Sequence, residues 1–143
     1  MTELELLLSE IDARVKRDLP LSSVSTFRIG GNASFVMYPE TAEALVLAVR
    51  ALKRVGLRFE VFGNASNVLF SDNGYDGAII ITKRISDIHI EDNRIVCGAG
   101  AMLPAISARA AERSLTGLEF ACGIPATLGG AVAMNAGAHG GEI

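Results

Sequence analysis

The stretch Gly123 to Glu142, GIPATLGGAVAMNAGAHGGE, carries most of the information about this chain. It contains no lysine or arginine, and at its many glycines the backbone has no side chain to cover it. Thr127 predicts a helix N-cap, the residues from Ala131 to Asn135 continue in helical register, and Gly137 suits a left-handed C-cap. The pattern therefore predicts a short helix with an open first turn.

Gly129 and Gly130 stand in that first turn, where each costs roughly 1 kcal/mol in helix propensity. Close approach of an anion to free N–H groups would favour them, and we expect a phosphate. The alternative is that these glycines only permit tight packing against a sheet.

The run Phe120 to Ala138 is uncharged and approaches the length of a membrane span. We do not predict a span, because Pro125 would break the helix and the glycines make the run only mildly apolar.

Composition limits the class of protein. Half of the 143 residues are apolar and 20% are charged, which predicts one domain or two small lobes and argues against disorder. The net charge of -3 argues against a general attraction to nucleic acid or anionic membranes. Met1-Thr2-Glu3 has no basic region typical of a secretory signal.

Cysteine and histidine usage points to a cytoplasmic protein without a metal site. Cys97 and Cys122 lie far apart without a metal or redox spacing, so we expect free, buried thiols. The two histidines form no ligand-spaced cluster, and no metal is expected.

The first half of the chain predicts helix, strand, helix, strand. Helical spacing of apolar residues predicts an amphipathic helix over 1–18 that ends by Pro20. The loop TFRIGG (26–31) follows, with Arg28 as its only cation, most simply a solvated charge. A strand over 33–38 and a helix capped by Thr41 and ended by Gly56 lead to a strand over 58–62.

The pentapeptide GNASN (63–67) follows that second strand. A strand–helix–strand unit favours a parallel pair with a right-handed crossover, which places this loop at a carboxyl edge where ligands commonly bind. Its N–H groups can converge as an anion-binding nest, although an ordinary turn is the alternative. Further short strands are predicted over 68–70 and 77–81, and no GxGxxG motif supports a Rossmann domain.

The region from Ile85 to Cys97 predicts a hairpin that turns at Asp92-Asn93. Pairing Glu91 with Arg94 sets Ile90 opposite Ile95, Ile88 opposite Cys97 and His89 opposite Val96, so Cys97 should be buried and His89 partly solvated. Pro104 fits the first turn of a helix that continues until Gly117, with Leu103, Ile106 and Ala110 inward. A phosphate-bearing ligand is expected between lobes 19–84 and 85–143.

Three segments taken together resemble the bacterial UDP-N-acetylenolpyruvoylglucosamine reductase family: TFRIGGNA (26–33), GNASNVLFSDNGYDGAII (63–80) and GLEFACGIPATLGGAVAMNAGAHGGE (117–142). The resemblance implies an α+β fold, an FAD-binding domain of the vanillyl-alcohol-oxidase (PCMH) type. It would contain two small α/β lobes, the second incomplete, while the family's substrate domain is absent from 1–143. In that family NADPH and FAD reduce UDP-N-acetylglucosamine-enolpyruvate to UDP-N-acetylmuramate for peptidoglycan.

The resemblance also implies the cofactor site. One set of residues would cradle the FAD pyrophosphate: Gly63, Asn64, Ala65, Ser66 and Asn67, with Ile124, Pro125, Ala126, Thr127, Leu128, Gly129 and Gly130. A second set would line the flavin: Asn135, Ala136, Gly137 and Ala138. Ala65 and Ala126 stand where the family usually has glycine, and His139 where tyrosine is more frequent.

No catalytic residue is assigned within 1–143, since the family's proton-donating serine, arginine and glutamate have no counterpart there. NADPH and the UDP-sugar would be partners of a longer enzyme, and the unfinished second sheet predicts self-association of this chain. The alternatives are the flavin domain of another oxidase or larger oxidoreductase, and a non-catalytic flavin-binding fragment.

Overall fold

A computed structural model describes residues 3–143, without the side chains of residues 3 and 5. The α-helices are α1 Glu3–Ser9, α2 Ala42–Arg54, α3 Leu103–Glu112 and α4 Leu128–Met134. The strands are β1 Ala13–Pro20, β2 Asn32–Pro39, β3 Phe59–Phe62, β4 Tyr75–Ile81, β5 Ile88–Glu91, β6 Arg94–Cys97, β7 Gly137–Ala138 and β8 Gly141–Glu142. Short 3-10 turns cover Leu21–Ser23 and Glu119–Gly123.

A four-stranded sheet in the order β1-β2-β4-β3 forms the larger half of the molecule. β1 runs antiparallel to β2, whereas β2, β4 and β3 are mutually parallel. β4 is a nearly continuous apolar run, as expected for a strand covered on both faces. Each of its buried isoleucines contributes about 1.5–3 kcal/mol of transfer free energy.

Two apolar clusters cover the two faces of this sheet. On one face, α1 and α2 pack with Leu8, Ala48 and Leu52 against β2 and β4. On the other face no α-helix of residues 3–143 packs, and the segments after β1 and β3 supply Leu21, Ala65 and Phe70 instead. The pentapeptide loop therefore lies on this face. The loop 26–31 lies there too, because a Cβ on Gly30 would be 2.6 Å from the Phe70 Cβ.

The prediction of one helix over 1–18 is wrong beyond Ser9. α1 ends there, and β1 pairs with β2 from Ala13 opposite Pro39 to Pro20 opposite Asn32. The helical spacing that joined Ile11 and Val15 to the leucines is outweighed by the ladder of backbone hydrogen bonds with β2. Residues 1 and 2 lie outside the described residues.

The strand–helix–strand unit is present, but its two strands are not neighbours. Thr41 caps α2 as predicted, with its Oγ1 accepting a hydrogen bond from the Ala44 N–H at 3.1 Å. β4 then inserts between β2 and β3, so each pairs with β4 and not with the other. The short strand predicted over 68–70 does not form, because that segment crosses over the sheet face as a loop.

The second half is built on the predicted hairpin, whose register is confirmed. Ile88 lies opposite Cys97, His89 opposite Val96, and Glu91 opposite Arg94. Asp92 adopts the expected left-handed conformation at the turn, with φ 52°. The hairpin packs with α3, α4 and the 3-10 turn around a third apolar cluster that includes Leu103, Ile106, Ala121 and Ala131.

α3 begins with Pro104 in its first turn as predicted, but it ends at Glu112, earlier than the expected Gly117. In the described part of the chain, no helix combines the length and the apolar character needed to cross a bilayer.

Candidate functional site

The loop Gly63 to Asn67 continues β3 beyond the edge of the sheet and contacts the segment that precedes α4. The Asn64 side-chain amide donates a hydrogen bond to the Pro125 carbonyl at 3.2 Å. The same Nδ2 lies 3.9 Å from the Met102 sulfur. The structure thus brings together the two loops predicted to hold phosphates.

Thr127 connects the loops most tightly. It is fully buried, and its Oγ1 accepts the Gly130 N–H at 3.4 Å as the N-cap of α4. The same oxygen lies 1.8 Å from the position that a Cβ on Gly63 would take. Because no side chain fits there, Gly63 is required for the contact between the lobes.

The backbone N–H groups of the pentapeptide loop are available to a ligand. Within residues 3–143, the structure pairs none of the N–H groups from Asn64 to Asn67 with a protein acceptor. Ala65 has φ 51°, the left-handed conformation that favours glycine and lets successive N–H groups converge as a nest. The loop carries no carboxylate that would repel an anion. These groups fit a pyrophosphate.

The expected open first turn of α4 is wrong. The N–H groups of Leu128 and Gly129 donate to the carbonyls of Ala101 and Ala99, both at 2.8 Å. A Cβ on Gly129 would lie 3.0 Å from the Ala99 Cβ. The packing alternative therefore explains Gly129, although its partner is the 99–101 segment and not a sheet.

Other N–H groups between Ile124 and Gly130 are also occupied by protein acceptors: Ile124 donates to Ala121, Ala126 to Ile124, and Gly130 to Thr127. A ligand could therefore pack against the surface of this segment, but few of its backbone N–H groups are free to donate hydrogen bonds. Gly123, beside it, is open, because a Cβ added there would have no atom within 4 Å.

The third predicted segment, Asn135 to Ala138, lies at the opposite end of α4. Asn135, and not Gly137, ends the helix in the left-handed conformation, with φ 46° and ψ 55°. Its side-chain amide donates to the Glu142 carboxylate at 3.1 Å, across the small β7–β8 hairpin. Among the described residues, no hydrogen bond joins Asn135–Ala138 to the loop 63–67.

Sequence reasoning did not assign the loop 26–31 to the candidate site, yet the structure places it against the pentapeptide loop. The Thr26 N–H donates to the Ala65 carbonyl at 3.3 Å, and the Gly31 N–H donates to the Ser71 carbonyl at 2.9 Å. The glycine pair in TFRIGG was the available signal, since a Cβ on Gly31 would lie 2.2 Å from the Asp72 carbonyl oxygen.

The two cysteines differ in exposure. Cys97 is half-buried, and burial, followed by the Asp87 carboxylate, raises the pKa of its thiol. Cys122 is exposed on the 3-10 turn, so the expectation that both thiols are buried is wrong for Cys122 and only partly met by Cys97. The neighbouring residues of Cys122 are apolar, but Ala121 is the residue of this turn that is buried in the third cluster, and Cys122 faces outward.

Most of the chain matches a known protein family. Residues 33–143 match the family described as FAD binding domain. The chain belongs to this FAD-binding family. The expected α+β class and the expected FAD cofactor follow from this membership and from the mixed helices and strands of the fold.

The expected resemblance to reductases is confirmed by curated relatives. A UDP-N-acetylenolpyruvoylglucosamine reductase of Caldicellulosiruptor saccharolyticus is 42% identical over 95% of this chain and 44% of its own length. One from Caldicellulosiruptor bescii is 45% identical over 99% of this chain and 45% of its own length. The chain spans less than half the length of these two relatives.

Solved structures show the same fold. The crystal structure of the Thermus caldophilus reductase aligns with a TM-score of 0.71 and 36% identity, covering 91% of this chain and 45% of that one. Aclacinomycin oxidoreductase aligns with a TM-score of 0.64 at 22% identity, covering 88% of this chain and 27% of that one. The second likeness concerns the fold alone.

Proposed function

We propose that the chain is the FAD-binding part of a UDP-N-acetylenolpyruvoylglucosamine reductase. Identity of 42–45% over nearly the whole chain carries this proposal. The contact between the loops 63–67 and 124–127 supports it independently, because it presents free N–H groups where two lobes meet.

The residues of the chain would bind and orient the cofactor. The N–H groups from Asn64 to Asn67 hold the FAD pyrophosphate, with the surface of Ile124–Gly130 as the adjoining wall and Asn135–Ala138 along the flavin. Thr127 keeps the two loops in contact through Gly63. When bound, FAD supplies the hydride chemistry of the enzyme.

The proposed overall reaction adds a hydride and a proton to the enolpyruvyl double bond of UDP-N-acetylglucosamine-enolpyruvate, while NADPH becomes NADP⁺. The product is UDP-N-acetylmuramate, a peptidoglycan precursor made in the cytoplasm and so linked to cell wall, cell shape and division. Proton delivery requires a positioned acid, and the developing charge requires electrostatic stabilisation. We propose that these groups are not supplied by 1–143.

Titration of the purified chain with FAD, followed by flavin fluorescence, tests the first part. We expect saturable binding of FAD and much weaker binding of riboflavin, which lacks the phosphates. NADPH oxidation dependent on the enolpyruvyl substrate should be absent for the 143-residue chain and present for a longer reductase that contains it. No FAD binding, or turnover by 1–143 at the rate of the longer enzyme, would contradict the proposal.

A further inference from the structure

Arg28 is a cation on the loop that contacts the candidate pyrophosphate site. The loop 26–31 is fixed at both ends: the Thr26 N–H donates to the Ala65 carbonyl, and the Gly31 N–H donates to the Ser71 carbonyl. Arg28 therefore belongs to a segment that is hydrogen-bonded directly to the nest residue Ala65.

The backbone of Arg28 is held in an unfavourable conformation. Its φ of 55° is left-handed, a region in which the Cβ of a residue other than glycine lies too close to the backbone. A hydrogen bond of 3.2 Å from its N–H to the Ser25 carbonyl stabilises this turn, and the buried Ser25 hydroxyl donates to the Ile29 carbonyl at 3.3 Å. Strain maintained by surrounding contacts is typical of functional positions.

The charge at the site is otherwise unbalanced. A pyrophosphate brings two negative charges, whereas the segments 63–67 and 124–130 contain no lysine or arginine. Arg28 is the only cation of the three contacting segments, and its side chain is exposed. Within residues 3–143 the structure shows no ion pair between Arg28 and a carboxylate.

Apolar side chains beside Arg28 suit a ligand that joins phosphates to aromatic rings. Phe27 and Ile29 flank it in sequence and are 56% and 46% exposed, and Leu69, which follows the pentapeptide loop, is 70% exposed. A dinucleotide can cover exposed apolar groups on the two loops as well as a cation and free N–H groups.

We propose that the Arg28 guanidinium binds the pyrophosphate of FAD together with the N–H groups of Asn64–Asn67. The inference rests on the proposed FAD site. A guanidinium offers paired donors that match phosphate oxygens, and such charge-assisted hydrogen bonds are stronger than those from neutral N–H groups.

The test is the dissociation constant for FAD of the 143-residue chain and four variants, at low and at high salt. Arg28→Gln should raise the Kd about tenfold and weaken its dependence on salt, while Arg28→Lys should recover part of the loss. Riboflavin affinity should not change, since riboflavin has no phosphate. Arg113→Gln, an exposed arginine at the end of α3, should behave like the parent chain.

Arg28→Gly separates ligand binding from folding. Because glycine accepts the left-handed conformation, the melting temperature should rise while FAD affinity falls. A parent chain that binds FAD together with an unchanged Kd for Arg28→Gln would overturn only the role of Arg28. The same holds if riboflavin affinity falls as much as FAD affinity does. Failure of the parent chain to bind FAD would overturn the proposed function itself.

Discussion

The Thr127 hydroxyl oxygen lies where a side chain on Gly63 would begin, 1.8 Å from the ideal Cβ position at residue 63. Thr127 is fully buried and also caps α4, so it cannot move aside. The contact therefore joins the two candidate loops and fixes the start of α4 at the same point.

We expect Gly63→Ala to lower the free energy of unfolding by at least about 2 kcal/mol, since overpacking in a rigid site costs about 1–3 kcal/mol. Urea unfolding measures the change. Gly123→Ala is the matched control, because that position is open, and its effect should stay within about 0.5 kcal/mol.

A double-mutant cycle checks the cause. Thr127→Ala alone should cost about 1 kcal/mol through the lost cap. Combined with Gly63→Ala it should cost clearly less than the sum of the single changes, because the 1.8 Å contact with Oγ1 is removed and only the Cβ contact at 3.0 Å remains. Strict additivity would show that Gly63→Ala acts by another route.

Ala65 should tolerate glycine but not valine. Glycine removes the cost of the left-handed φ and also a buried methyl group, so the two effects nearly cancel and stability should change by less than about 1 kcal/mol. Valine is β-branched and would overpack the first core cluster, with an expected loss of more than about 2 kcal/mol.

Ala105→Val is the control, because residue 105 lies on the exposed face of α3 and does not have a positive φ. The same two methyl groups should lower the free energy of unfolding there by only about 0.5 kcal/mol. If Ala65→Val proved no more destabilising than Ala105→Val, residue 65 would be neither tightly packed in the first cluster nor held in the left-handed conformation.

The thiols should react at different rates with a small alkylating reagent. Cys122 is exposed and should be labelled first, whereas Cys97 is half-buried with a raised pKa and should be labelled slowly near neutral pH. Mass spectrometry at timed intervals distinguishes them, and Cys122→Ser should remove the fast phase alone.

The pH dependence of Cys97 follows from the direction of its pKa shift. Labelling should accelerate as pH rises toward the raised pKa, and Asp87→Asn should increase the rate at a given pH by removing one cause of the shift. The pKa of Cys97 is higher in the folded than in the unfolded protein, so the neutral thiol stabilises the fold at pH values below the pKa of the unfolded state. This contribution is lost as the pH rises through the pKa of the folded state. Equal rates for both cysteines at neutral pH would contradict the assignment.

The β5–β6 hairpin should make the 143-residue chain associate with itself. Within residues 3–143 its edges pair with no further strand, and Val96 on β6 is 62% exposed. Unpaired edges promote strand addition, and an edge lysine suppresses it. Val96→Lys should lower the average mass in sedimentation measurements at high protein concentration.

Val132→Lys, on the exposed face of α4, is the control for general loss of apolar surface. An equal effect of both substitutions would assign association to apolar patches and not to the sheet edge. A parent chain that stays monomeric at high concentration would contradict the prediction altogether.

Local sequence determined much of the secondary structure. The Thr41 and Thr127 caps, Pro104 at the start of α3 and the register of the β5–β6 hairpin all follow from residues within a few positions of one another. Caps and tight turns depend on short-range hydrogen bonds, so residues close together in the sequence are enough to predict them. The pentapeptide loop was identified for the same reason.

Tertiary structure decided the features that depend on distant partners. Strand β1 forms because its backbone hydrogen-bonds to β2. Strand β4 lies between β2 and β3, where both faces of its apolar run can be buried. The first turn of α4 is closed by the 99–101 carbonyls, and Gly63 is required by Thr127. Which N–H groups remain free for a phosphate depends on acceptors brought near only by folding, so composition alone could not reveal it.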